Sequence, residues 1–242
     1  MEKIDILILT LDEKKIRPKL MKVLRNASWV NDIIIETSKP LSRARVNGIK
    51  KCKTEWIAMF DDDVEIPENW FEKLSVLALQ KGVVAVSSPY LTINYDYAVM
   101  DFISRQFRSL DKRFTPTIGN VLFKRSAMIG YNPPPLFFCE DELFYRYIVK
   151  RGKWVHSKFI GAKHFYKEKD SLLSGVAQRI LKFEPLYKML MRVTTRFFTA
   201  VLASFYTHSL KTIYHFWRIN VRILTGWIIG KGRIRQVLVK NS

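Results

Sequence analysis

The sequence predicts an α/β fold: a mostly parallel sheet with helices on both faces, followed by a basic, apolar helical tail. Two observations carry this. Four short runs rich in β-branched residues, Ile4–Thr10, Asp32–Thr37, Trp56–Asp61 and Val83–Ser88, alternate with segments of helical periodicity. Strand and helix in alternation build a sheet covered on both sides. The second observation is where the acids stop. Residues 1–170 hold 29 Lys+Arg against 21 Asp+Glu, a net of +8, whereas residues 171–242 hold 12 against Glu184 alone, a net of +11. The chain is accordingly read as an α/β domain over 1–168 and a basic amphipathic tail over 169–242.

Each element has a local reason. Pro18 opens a helix that places Leu20, Val23, Leu24 and Ala27 on one face, as proline does at a first helical position. A second helix has Leu41, Ala44, Gly48, Ile49 and Cys52 at helical spacing, and a third follows Pro67, groups Phe71, Leu74, Leu77 and Ala78, and stops at Gly82. Beyond Ser88 the order changes: Tyr95–Leu110 reads as helix, Ile118–Phe123 as strand, and Tyr131–Pro135, with three prolines, as loop. Asp141–Arg151 reads as helix ending at Gly152, and Trp154–Ile160 as extended. Ligands of such sheets bind beyond the carboxyl ends of the strands.

Composition narrows the function classes. With 48% hydrophobic and 13% aromatic residues the chain is not disordered. A formal net charge of +19 asks for a polyanionic partner: nucleic acid, anionic lipid or a phosphorylated substrate. Cys52 and Cys139 make neither a disulfide framework nor a zinc cluster and suit a reducing compartment. Met1 leads directly into a charged, strand-like segment, so a cytoplasmic start is expected.

Two acidic clusters stand where chemistry is expected. Asp61-Asp62-Asp63 ends the third strand. Such a triplet is either a solvated turn leading into a helix or a seat for a hard divalent cation, which takes carboxylates together with substrate phosphates. Glu140-Asp141 opens a helix. Acids there favour the helix dipole, and Glu142 with Arg146 makes an ordinary i,i+4 pair; alternatively the first two are a reactive pair.

The surrounding residues separate these readings. Ala44-Arg45-Val46-Asn47-Gly48-Ile49, then Thr54-Glu55-Trp56-Ile57-Ala58-Met59-Phe60-Asp61-Asp62-Asp63, then Pro67-Glu68-Asn69-Trp70 resembles the run of family 2 glycosyltransferases into their Asp-x-Asp motif. Leu9-Thr10-Leu11-Asp12-Glu13 is similar to that family's first strand end, and Glu140-Asp141 with Leu143, Arg146 and Gly152 to its acidic pair. The resemblance covers about residues 4–165 and implies the GT-A fold, a Rossmann-like sheet. It departs from the family at Leu9, where proline is usual, at Leu11 and Asp12, where an aromatic and asparagine are usual, at Val46, and at Glu36, where aspartate is usual.

The resemblance implies Mn2+ or Mg2+ bound by Asp63, with Asp61 beside it on the donor or the metal, and His164 as a further ligand. Asp62 belongs to the same donor-binding run. It implies Asp141 as general base for inverting transfer from a nucleotide-diphosphate sugar, with Glu140 positioning the acceptor or donor sugar. Thr10, Asp12, Glu13 and Glu36, at the first two strand ends, are expected around the nucleoside, and Arg45 near the diphosphate. Asn120 is a polar residue interrupting a strand and needs a partner, which the sugar would supply. A UDP-sugar is the first expectation and a GDP-sugar the second, with a glycan or lipid-linked acceptor. A nucleotidyltransferase is the alternative enzyme, but Thr10–Arg17 lacks the glycine-rich loop such enzymes use. A nucleic-acid binder is the other alternative; no zinc-finger spacing, aromatic RNA-recognition motif or basic zipper is present.

In the tail, Ser171 and Pro185 mark helix starts, and Phe197–Trp217 carries one charge, Lys211, over 21 residues. That length reaches across a bilayer, but Lys211, His208 and His215 disfavour a dry span. Arg192, Arg196, Arg218 and Arg222 flank the run amid aromatics, a pattern of helices lying in an anionic membrane interface. Peripheral association with the cytoplasmic membrane face is expected ahead of a crossing; packing on the α/β domain is the remaining reading.

Overall fold

The computed structural model describes residues 3–93, 118–136, 140–159, 161–165, 171–181, 185–208 and 210–230. The helix expected over Tyr95–Leu110 and the second cysteine, Cys139, lie outside them. The chain divides into two compact units, Met1–Leu91 with Thr115–Phe165, and Thr92–Phe114 with Tyr166–Ser242.

The first unit runs β1 (Ile4–Leu9), α1 (Pro18–Asn26), β2 (Val30–Glu36), α2 (Leu41–Lys51), β3 (Trp56–Asp61), β4 (Val64–Glu65), α3 (Trp70–Ala78), β5 (Val83–Ser87), β6 (Tyr90–Thr92), β7 (Asn120–Lys124), α4 (Glu140–Ile148), β8 (Lys153–His156) and β9 (Ala162–His164). Six strands form one sheet in the order β2-β1-β3-β7-β5-β8. Strand β1 is parallel to both β2 and β3, and β5 is parallel to β8, while β7 runs antiparallel between β3 and β5. The sheet is thus mostly parallel, as the alternation predicts, with one reversed strand. The reversal is what a single-sequence pattern misses: a buried strand is equally apolar whichever way it runs.

Every residue of β1 is buried, because the sheet is covered twice. Ile4, Ile6 and Ile8 pack with Leu20 and Leu24 of α1, Phe60, and Trp70 and Leu74 of α3 on one face. Leu7 and Leu9 pack with Ala44, Val46 and Ile49 of α2, Met59, Phe123, and Phe144 and Ile148 of α4 on the other. Strand side chains alternate faces, so one apolar strand feeds both cores. Removing a side chain such as Leu7 would cost about 2–5 kcal/mol. Helix α2 sits close enough that a methyl on Gly48 would lie 2.2 Å from Leu7 Cδ1, which explains the glycine within a helix.

Three short strands, in the order β4-β9-β6, form a second sheet. None was expected from the sequence, since two- and three-residue strands carry no periodicity. In the second unit are α5 (Ser171–Ile180), α6 (Leu186–Thr207) and α7 (Leu210–Ile229). Pro185 caps α6, and His208, with φ 49° and ψ 34°, ends it in the left-handed conformation. The apolar run 197–217 is therefore split between two helices. Among the described residues no helix is long and apolar enough to cross a membrane.

Candidate active site

The parallel strands deliver their carboxyl ends to one edge. Leu9 is in register with both Glu36 of β2 and Asp61 of β3, so Thr10, Glu36 and Asp61 are neighbours there. Thr10 N–H donates to the Glu36 carbonyl at 3.2 Å. The Thr10 hydroxyl hydrogen-bonds the Asp62 carboxylate at 2.6 Å and accepts from Asp12 N–H at 3.0 Å. Asp62 is thereby engaged by the first strand's end. Asp12 caps the 3-10 turn Glu13–Lys15, accepting from Lys14 N–H at 3.1 Å, and Glu13 is exposed in that turn. Burial raises the pKa of Glu36, but Lys51 Nζ at 2.7 Å and the Ser38 hydroxyl and amide outweigh it and hold the carboxyl below its ordinary value.

Asp61 and Asp63 are placed by backbone. Asp61 N–H donates to the Gly119 carbonyl at 3.1 Å, continuing the β3–β7 ladder. A methyl on Gly119 would lie 1.9 Å from Asp61 Oδ2 and 2.7 Å from the Tyr90 hydroxyl. The absence of a side chain at Gly119 therefore makes room for the Asp61 carboxylate. Asp63 precedes β4, whose Val64 pairs with His164 of β9, and its carbonyl accepts from Phe165 N–H at 2.9 Å. This pairing brings His164, a hundred residues along the chain, to Asp63: Nε2 and Oδ1 are 3.3 Å apart. Tyr90 stacks on the His164 ring at 4.8 Å between centroids. Gly119 and Tyr90 were not singled out in the sequence. The only signal was a glycine inside the run read as a strand, the kind of position that marks a close approach.

The second acidic cluster is positioned through helix α2. Helix α2 begins just after the carboxyl end of β2, and its Ser42 binds the proline-rich loop: Ser42 N–H donates to the Leu136 carbonyl at 3.1 Å, and Leu136 N–H donates to Ser42 Oγ at 2.7 Å. That loop leads to α4, whose first residue is Glu140. Arg45, on the first turns of α2, is 1% exposed, and its Nη2 lies 3.4 Å from Glu140 Oε1. Its Nε and Nη1 have no hydrogen-bond partner among the described residues, nor has the buried Tyr131 hydroxyl. Burial pushes the Tyr131 phenol well above its ordinary value, although the Arg45 charge works against this. Buried donors without partners are rare in native proteins and call for an explanation. Asp141 is half-buried and accepts from Glu142 N–H at 2.9 Å. Glu142 pairs with Arg146, the ordinary helix pair anticipated for them.

Asn120 departs from expectation. It is fully buried, its Oδ1 accepts from Trp70 Nε1 at 2.6 Å, and its Nδ2 lies 2.7 Å from Ser88 Oγ and 3.2 Å from the Ser88 carbonyl. The partner its amide needs is the protein: Asn120 ties α3 to the end of β5 rather than facing a sugar. His156 also stays within the sheet, with Nδ1 3.0 Å from Ser87 Oγ.

The donor set fits a hard divalent cation. Two ligands at about 2.1 Å and at right angles are about 3 Å apart, close to the Asp63–His164 separation of 3.3 Å. Among the described residues no group of three or more His, Cys, Asp and Glu is arranged to hold a metal. Asp63 and His164 are thus the pair that would meet such a cation, alongside phosphate oxygens and water.

The model of the family described as Glycosyl transferase family 2 matches residues 20–132. No curated protein matches the sequence. Among solved structures, glucosyl-3-phosphoglycerate synthase from Mycobacterium tuberculosis in complex with Mg2+ and uridine diphosphate is similar with a TM-score of 0.53 at 12% identity, covering 74% of this chain and 77% of that one. The same enzyme with Mn2+, UDP-glucose and phosphoglyceric acid gives a TM-score of 0.51 at 14% identity, over 74% and 77% of the two chains. At these identities the likeness establishes the fold, which is that of the GT-A glycosyltransferases.

Proposed function

We propose that this chain, a glycosyltransferase whose residues 20–132 belong to family 2, transfers a sugar from a nucleotide-diphosphate donor to a hydroxyl acceptor with inversion at the anomeric carbon. The observation that carries this reading is the meeting of Asp63 and His164 on paired strands at the carboxyl edge of β3, 3.3 Å apart. A UDP-sugar is the first donor to test and a GDP-sugar the second; the solved relatives hold UDP or UDP-glucose. The acceptor is a growing glycan or a lipid-linked sugar at the cytoplasmic membrane face.

Thr10, Asp12 and Glu36 frame the nucleoside end of the donor. Asp63 and His164 would hold the cation, with Asp61 beside them toward the donor. Mn2+ or Mg2+ bound there supplies positive charge against the departing diphosphate. Asp141 takes the proton of the acceptor hydroxyl as that oxygen bonds to the anomeric carbon. The bond from that carbon to the diphosphate oxygen breaks, and its electron pair leaves with the diphosphate. Arg45 holds Glu140 in place, and its unused N–H groups face the need for an anion, which the donor or acceptor meets. The Glu140 carboxylate positions the sugar.

A thermal-shift screen of nucleotide sugars with and without Mn2+ tests the assignment, because a ligand that binds only the folded state raises its stability by about 2.7 kcal/mol at a hundred times its Kd. A UDP-sugar is expected to raise Tm only when Mn2+ is present. Equal shifts without the metal would remove Asp63 and His164 from the donor site.

A further inference from the structure

Helices α6 and α7 each carry two apolar stripes. One stripe is internal: Met189 of α6 packs with Ile223 and Trp227 of α7, with Val193, Ile219 and Leu224 around them. The other stripe faces solvent. On α6 it includes Leu186, Leu190, Phe197, Phe198, Leu202 and Phe205, the last 72% exposed. On α7 it includes Leu210, Tyr214, Trp217, Val221 and Ile228, recurring at helical spacing, with Leu210 80% exposed. A shallow apolar groove of about 350 Å³ is lined by Phe197, Leu210, Ile213, Tyr214 and Trp217. Soluble surfaces rarely keep contiguous apolar area of this extent uncovered.

The charge of the same segment selects the occupant. Residues 171–242 carry 12 Lys+Arg and one acid. Lys188, Arg192 and Arg196 recur every four residues along the same stretch of sequence. A second copy of the chain would bring two such cationic segments together and pay the repulsion. A single-stranded nucleic acid would use the cations and a few aromatic rings but would leave the aliphatic positions Leu186, Leu190, Leu202 and Ile228 in water. An anionic bilayer satisfies both features, accepting the apolar stripe below the headgroups and the cations among them.

We propose that the outward faces of α6 and α7 form a docking platform for an anionic lipid bilayer, on which the helices lie without crossing it. The absence of a spanning helix among the described residues agrees with this orientation, and the proposal stands whether or not the catalytic reading does. The test is flotation of the full chain with vesicles of phosphatidylcholine alone or with roughly one third phosphatidylglycerol. The comparison variant replaces three exposed residues, Phe198→Glu, Phe205→Glu and Trp217→Glu, with its folding checked by Tm and by Mn2+-dependent UDP binding. Wild type is expected to bind the anionic vesicles at least about ten-fold more tightly than the neutral ones, and the triple variant to lose about ten-fold or more of that affinity with its Tm and UDP binding unchanged. Equal binding by the variant would show a purely electrostatic contact through another surface and overturn the platform. Failure of wild type to bind vesicles would overturn it too, as would a wild-type dimer dissolved by the three substitutions, or a single-stranded oligonucleotide that binds more tightly than vesicles and depends on the same residues.

Discussion

The two acidic clusters are held in place differently. Asp61 and Asp63 are fixed by main chain: the Gly119 carbonyl, the Phe165 amide and the β4–β9 register. Glu140 is met by a buried side chain, Arg45, at 3.4 Å. A site placed by backbone keeps its geometry as long as the sheet is folded. A site placed by a buried ion pair fails when either partner is lost, because the remaining charge is left uncompensated. Under the proposed function, the first arrangement would present pre-set ligands to a cation and the second would let groups adjust around an acceptor.

The largest effect separates the clusters by function. Asp141→Asn is expected to lower kcat by about 10²–10⁴-fold while leaving Mn2+-dependent UDP affinity unchanged by calorimetry; substantial turnover would reject its role as base. Next comes the contrast in support. Arg45→Met removes the buried cation beside the Glu140 carboxylate and should cost about 3–5 kcal/mol in a urea melt, whereas Arg45→Met combined with Glu140→Met should recover most of that stability without recovering activity. If the double variant is no more stable than the single one, the ion pair is not what holds α4. Asp63→Ala should weaken Mn2+-dependent UDP binding by about 10–100-fold with Tm nearly constant; a large fall in Tm would mean that side chains, rather than backbone, organise that cluster. Gly119→Ala pushes directly on the Asp61 carboxylate and is expected to cost about 1–3 kcal/mol and to impair donor binding together.

The smallest effect uses a third carboxylate as reference. Asp5, buried in β1, accepts from the Lys53 and Thr54 amides at 2.5 and 3.0 Å and from Asn31 Nδ2 at 2.7 Å. Burial raises its pKa, but these bonds together hold it below the ordinary value. A carboxyl lowered on folding stabilises the protein above its unfolded pKa of about 4, and that contribution disappears as pH falls through the folded value. Tm should therefore drop on acidification below about pH 4, and Asp5→Asn should flatten that drop. An unchanged slope would show that this backbone-held carboxylate contributes nothing to acid stability.

The parts legible in the sequence were those with a long period or a residue of special geometry. Helices α1 and α2 and strands β1 and β3 followed from apolar spacing and from Pro18, and the approximate start of α4 from its acids. The edge at which Thr10, Glu36 and Asp61 gather followed from parallel strands. What escaped depends on contacts distant along the chain. The insertion of β7 between β3 and β5 leaves no mark on its own residues. The short strands β4, β6 and β9 have no period to read. Asn120 showed only that it needed a partner; that the partner is Trp70 and Ser88 rather than a sugar is a fact of tertiary packing. In the tail the helices were legible, but the break at His208 was not, since histidine is an uncommon residue at a left-handed helix end.

The missing side chain at Gly119 has a consequence for anyone redesigning this protein. Because Gly119 leaves room for the Asp61 carboxylate while the Thr10 hydroxyl binds the neighbouring Asp62, the end of β1 and the acidic run are coupled. Swapping the Thr10 side chain would therefore disturb Asp62 as well. Any larger residue at position 119 would push on the same run from the other side, through the Asp61 carboxylate.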